Sequence, residues 1–131
     1  MDAYAASRNN SLKHLFVALT DPVSVAGYPS PCVLLVNLSS IYEGRDVDGA
    51  CVLQPGDHSR ITRPSYVVYE VARIDHADAL VEDVESGRIE VLEPVALYVI
   101  DRICAGLEAS PNTPEEIKLF YREAERLRLT S

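Results

Sequence analysis

The chain has 131 residues, 47% hydrophobic and 24% charged, which suits one globular domain and excludes wholesale disorder. Twelve basic and twenty acidic side chains give a net charge of −8, so the chain as a whole offers no positive field for nonspecific nucleic-acid binding. No apolar run approaches the roughly 18 to 20 residues that a membrane span requires. The start of the chain, MDAYAASRNNSLKH, lacks the basic and apolar regions of a signal peptide. Three scattered cysteines, Cys32, Cys51 and Cys104, form neither a disulfide framework nor a zinc knuckle. The expectation is a reduced, cytoplasmic protein with no cofactor and no membrane partner.

Residues 1–11 are small and polar without periodicity, and are expected to form a loose arm. KHLFVALT, residues 13–20, predicts a buried strand. Asp21-Pro22 and the stretch Gly27-Tyr28-Pro29-Ser30-Pro31 follow as turns. CVLLVNL, residues 32–38, is a near-continuous apolar run and predicts the central strand. A polar loop, SSIYEGRDVDG, leads to a short strand over residues 50–53, which Gln54-Pro55-Gly56-Asp57 ends as a turn. YVVYEVARI, residues 66–74, predicts a fourth, long strand.

The pattern then changes to helical. Residues 77–86 predict a short helix closed by Gly87, and residues 88–92 a brief fifth strand. Pro94 is placed to open the next helix, in which Val99, Ile100, Ile103, Cys104 and Leu107 share one face. Thr113-Pro114-Glu115-Glu116 has the form of a capping box. Ile117, Phe120, Tyr121, Ala124 and Leu127 then make one apolar stripe. Strands first and helices last predict an α+β fold: a small antiparallel barrel or curled sheet with C-terminal helices.

Charge is unevenly placed. Residues 1–66 carry a net −1 and residues 67–131 a net −7. Between Asp75 and Glu93, seven acids face Arg88 alone, which makes either a solvated face or a surface that receives a basic partner peptide.

The densest reactive cluster is PGDHSRITRPSY, residues 55–66. His58 has the chemistry of a general acid or base, and Arg60 and Arg63 that of a phosphodiester clamp. Together they are what a metal-free ribonuclease needs, with the substrate's 2′-hydroxyl as nucleophile. Ser65 and Tyr66 close the cluster, and Ser39 and Ser40 end the central strand where a hydroxyl can meet a phosphate. Equally open at this point is a structural role: a turn cap for Asp57, a carbonyl partner for His58 and acidic partners for the arginines. The cysteines suit small buried hydrophobes, and His14 a structural place in its strand. His76 lies between Asp75 and Asp78, but no three-ligand metal spacing is present. The GxGxxG, P-loop, GxSxG and HExxH motifs are all missing.

An apolar strand, a proline-rich turn, a second apolar strand ending in serines and a helical C-terminus together resemble the PemK/MazF type of toxin. VLLVNLSSI, CVLQPGDH, PSYVVYEVA and RICAGLEASPNTPEEIKLFYREA are similar to small bacterial proteins grouped loosely with those toxins. The resemblance spans residues 12–128. It implies an SH3-like barrel, a homodimer, metal-independent cleavage of single-stranded RNA and a co-expressed antitoxin. Ser39 and Ser40 match the family's hydroxyl position. Pro29-Ser30-Pro31-Cys32 stand where its early arginine is expected, and Leu12-Lys13-His14 replace its opening glycine-aspartate. The cation would then come from Arg60 or Arg63. The alternative is a non-enzymatic SH3-like module that binds a protein or peptide, favoured by the −8 charge and the missing arginine. A metal-dependent hydrolase has only scattered carboxylates in its support.

Overall fold

The computed structural model describes residues 4–8 and 15–130. Among these residues, six antiparallel strands form one sheet: β1 (Tyr4–Arg8), β2 (Leu15–Ala18), β3 (Cys32–Ser40), β4 (Val52–Leu53), β5 (Ser65–His76) and β6 (Ile89–Pro94). Their order is β4-β5-β3-β2-β1-β6. Helix α1 (Ala77–Glu85) links β5 to β6, and α2 (Leu97–Ala109) and α3 (Glu115–Thr130) complete the chain. The α+β class and the antiparallel sheet with C-terminal helices match the expectation from sequence. The sheet is curled and open: β4 and β6 are its two edges and do not pair with each other.

β3 is the centre of the molecule because it is covered on both faces. Leu34, Val36 and Leu38 point into the main core beside Val17, Val67 and Tyr69. Val99, Ile100, Ile103 and Leu107 of α2, with Ile117, Phe120 and Ala124 of α3, close that core. Val33 and Leu35 point the other way, into a smaller cluster with Phe16, Ile89 and Ala77 of α1. Burial on both faces explains why CVLLV is a continuous apolar run rather than an alternating one.

β5 changes face part-way. Between the pairs Leu35–Arg73 and Asn37–Val68, β3 advances two residues while β5 advances five. The extra residues form a bulge, so the inward side chains shift from Val67 and Tyr69 to Ala72 and Ile74.

Several boundaries differ from the sequence expectations. Tyr4–Arg8 is a strand between β2 and β6 rather than part of a loose arm. Backbone pairing on both sides holds it, and such pairing needs no side-chain periodicity. Lys13 and His14, expected in the next strand, lie outside the described residues. Pro94 ends β6 instead of opening α2, and an edge strand tolerates its missing N–H. The Thr113 hydroxyl donates to the Leu107 carbonyl at 2.8 Å, and the Glu116 carboxylate accepts from Tyr28 at 2.8 Å. These partners tie α3 to α2 and to the turn before β3, in place of the reciprocal bonds of a capping box. Gly87 ends α1 with φ of 83°, as its position after the helix requires. No helix among the described residues is long and apolar enough to cross a membrane.

Candidate anion-binding site

The segment between β4 and β5 carries the reactive cluster, and its first turn is fixed from both sides. Asp57 Oδ2 accepts the Gln54 amide at 2.7 Å, and the Asp57 amide donates to the Gln54 carbonyl at 3.0 Å. Gly56, at φ 103°, supplies the left-handed step that this closure needs. Tyr98 of α2 donates to Asp57 Oδ1 at 3.0 Å, and Arg102 lies 3.5 Å from Oδ2. The Gln54 amide first, then Tyr98 and Arg102, hold the Asp57 carboxyl below the usual aspartate range, against the opposing effect of burial.

His58 is buried, and both ring nitrogens are bonded. Nε2 lies 2.9 Å from the Glu93 carbonyl, and Nδ1 lies 3.1 Å from the Arg60 amide. A carbonyl only accepts and an amide only donates, which assigns the ring hydrogen to Nε2. Ser59 donates to Glu93 Oε1 at 2.7 Å, and Arg60 pairs with Glu90 at 3.3 Å. Three consecutive residues therefore clasp β6, on the opposite edge of the sheet from β4. Ile61 turns inward and joins the main core.

Beyond the clasp, the chain lines a cavity of about 340 Å³ at the end of the β3–β5 pair. Arg60, Thr62, Arg63 and Ser65 form one wall, and Ser39, Ser40 and Tyr42 the other. Register explains the meeting, since Ser40 pairs with Ser65 and Ser39 with Tyr66. The Arg63 guanidinium carbon sits 4.3 Å from the centre of the exposed Tyr42 ring. Ser65 is buried and donates to the Arg63 carbonyl at 2.9 Å, which shapes the turn into β5. Two guanidiniums, several hydroxyls and an aromatic ring thus share one cavity, the donor set that suits an oxyanion beside a planar group.

Of the residues singled out in the sequence, Arg60, Arg63, Ser39, Ser40 and Ser65 come together here. His58 and Tyr66 do not line the cavity: His58 faces β6, and Tyr66 lines a separate depression with Asp46, Asp48 and Glu70. Thr62 lies within the sequence cluster of residues 55–66, whereas Tyr42, Glu90 and Glu93 carry no local pattern that assigns them to this region.

The cysteines pack as small apolar side chains. Cys32 and Cys51 are buried and Cys104 half-buried, and burial pushes all three thiols up. Register nevertheless pairs Cys32 with His76, placing the sulfur 3.5 Å from Nδ1, and Ser30 Oγ lies 2.7 Å from the same nitrogen. The Cys32–His76 approach spans 44 residues and leaves no trace in local sequence. Among the described residues, no three His, Cys, Asp or Glu side chains are grouped to hold a metal ion.

No protein-family model matches the chain, and neither a curated protein nor a solved structure matches it. Any function must therefore follow from the geometry of the cavity and its surroundings.

Proposed function

We propose that the cavity lined by Arg60 and Arg63 binds a phosphate of single-stranded RNA, and that the protein acts in the manner of a PemK/MazF-like toxin. The observation that carries this reading is the convergence of both arginines with Ser39, Ser40, Thr62 and Tyr42 on one cavity. Guanidiniums and hydroxyls suit the phosphate, while the Tyr42 ring gives a base a surface to stack on. If the bound strand is cut, the 2′-hydroxyl attacks the adjacent phosphorus, the bond to the 5′-oxygen of the next nucleotide breaks to leave a cyclic phosphate, and Arg60 and Arg63 stabilise the charge that develops. Proton transfer would then fall to a group other than His58, whose ring nitrogens are engaged by Glu93 and Arg60. A homodimer and a co-expressed antitoxin belong to the same proposal.

The engagement of His58 also favours a second reading, in which the protein is a non-enzymatic binding module. The same cavity would then take a carboxylate of a partner peptide.

Controlled expression in a bacterium separates the two, with growth and the integrity of total RNA followed together. Growth arrest accompanied by RNA cleavage, both abolished in an Arg60→Ala, Arg63→Ala variant, supports the first reading. Normal growth with intact RNA supports the second.

A further inference from the structure

Helix α1 carries a wider apolar stripe than it buries. Ala77, Leu80, Val81 and Val84 fall on one side at i, i+3, i+4 and i+7. Ala77 and Leu80 pack into the smaller cluster with Ile89 of β6. Val81 and Val84 stay 53% and 40% exposed. Val91 shares the face of β6 that carries Ile89, and it is 51% exposed. Three valines on two touching elements are thus left facing solvent.

The charge on α1 itself has one sign. Helix α1 carries Asp78, Glu82, Asp83 and Glu85 and no base, while Glu90 and Glu93 of β6 are engaged by Arg60 and Ser59. Arg88 is already held by Asp83 at 2.8 Å, with Glu82 at 3.9 Å. A negative field around an aliphatic strip repels nucleic acid and anionic lipid, and it attracts a cationic chain that also carries aliphatic side chains.

We propose that the α1–β6 face docks a basic, amphipathic segment of a partner protein, with Val81, Val84 and Val91 as its apolar contacts and the surrounding carboxylates as its selectors. Among the described residues β6 is an edge strand, and the His58–Arg60 segment already meets it at Glu90 and Glu93, so the partner segment lies on the α1–β6 face rather than along that edge.

A short synthetic amphipathic peptide of lysine and leucine, fluorescently labelled, serves as the probe. Its affinity for the full chain is measured by anisotropy at physiological salt. Val81→Ser, Val84→Ser and Glu82→Lys, Glu85→Lys double variants are compared with a control carrying Glu115→Lys and Leu119→Ser on α3. Thermal melting by circular dichroism confirms that each remains folded, and these side chains are all exposed enough for that. Micromolar binding is expected, weakened at least about tenfold by each α1 variant and unchanged in the control. No binding, equal binding by all four proteins, or an equal weakening in the control overturns the proposal. A dimer in light scattering that the valine variant dissolves would assign the face to a second copy of this chain, and it too overturns the proposal.

Discussion

His58 donates from Nε2 to the carbonyl of Glu93 at 2.9 Å, and the bond spans from the segment after β4 to β6, the far edge of the sheet. A side chain whose residue type suggests acid–base chemistry thus holds the curl of the sheet. Replacing it with alanine leaves the Glu93 carbonyl and the Arg60 amide without their partner. His58→Ala is expected to lose about 2 to 3 kcal/mol of stability, the scale of stranding buried polar groups. Chemical denaturation at unchanged slope checks this. RNA binding abolished at full stability would instead return His58 to direct chemistry.

Gly106 sits in α2 beneath Tyr69, whose hydroxyl donates to the Ile103 carbonyl at 2.6 Å. A Cβ at this position would be driven into that hydroxyl and would stand 3.1 Å from the Ala50 carbonyl oxygen. Gly106→Ala should therefore destabilise by about 1 to 3 kcal/mol, despite alanine's better helix propensity. Adding Tyr69→Phe removes the clashing oxygen. The double variant should be less unstable than the two single effects added together, which a thermal-melting cycle measures.

Acid should weaken the molecule through Asp57 and Asp48. The Gln54 amide, Tyr98 and Arg102 hold Asp57 below the ordinary aspartate value. For Asp48, burial acts in the opposite sense but is outweighed by bonds from Ser110, the Ala50 amide and Asn112. A carboxyl depressed in the folded state stabilises above its unfolded value, and that contribution is lost as pH falls through the folded value. Stability should hold from neutrality to mild acid and then decline below the ordinary aspartate range. Asp57→Asn should flatten part of that decline and cost about 1 to 2 kcal/mol at neutral pH. Urea melts across the acid range test both.

Tyr42 is exposed, and its ring is met by the Arg63 guanidinium. An exposed cation–π pair is worth about 0.5 to 1 kcal/mol, so Tyr42→Ala should lower the melting temperature by only a few degrees. Affinity for single-stranded RNA should fall by about tenfold if the ring stacks a base. Equal loss of stability and affinity would show that Tyr42 only props the loop.

Much of this arrangement was legible in the sequence because it rests on local pattern. The α3 stripe from Ile117 to Leu127 and the doubly buried run from Cys32 to Val36 record burial by residue spacing, and the close of α1 at Gly87 records the left-handed step that glycine takes after a helix. β1 could not be read, because Tyr4–Arg8 is held by backbone pairing to β2 and β6. The bulge in β5 was equally hidden, since YVVYEVARI alternates well enough to pass for a regular strand. The candidate site was half legible. Arg60 and Arg63 stood out as a cluster, but their neighbours depend on the register that sets Ser40 opposite Ser65. The role of His58 depends on Glu93, 35 residues away and across the sheet.

If Arg60 and Arg63 form a phosphate site for single-stranded RNA, the binding must carry the electrostatic signature of both. The most direct test is a salt titration, with a short unstructured RNA read by anisotropy against the native chain and the Arg60→Ala, Arg63→Ala variant. For every phosphate that the variant no longer neutralises, the slope of log affinity against log salt should become shallower by about 0.7. The expected result is a slope shallower by one to two such steps and affinity reduced by at least about tenfold per arginine, in a variant that stays folded with its melting temperature lowered by only a few degrees. A folded variant that binds RNA with native affinity and native salt dependence would contradict it.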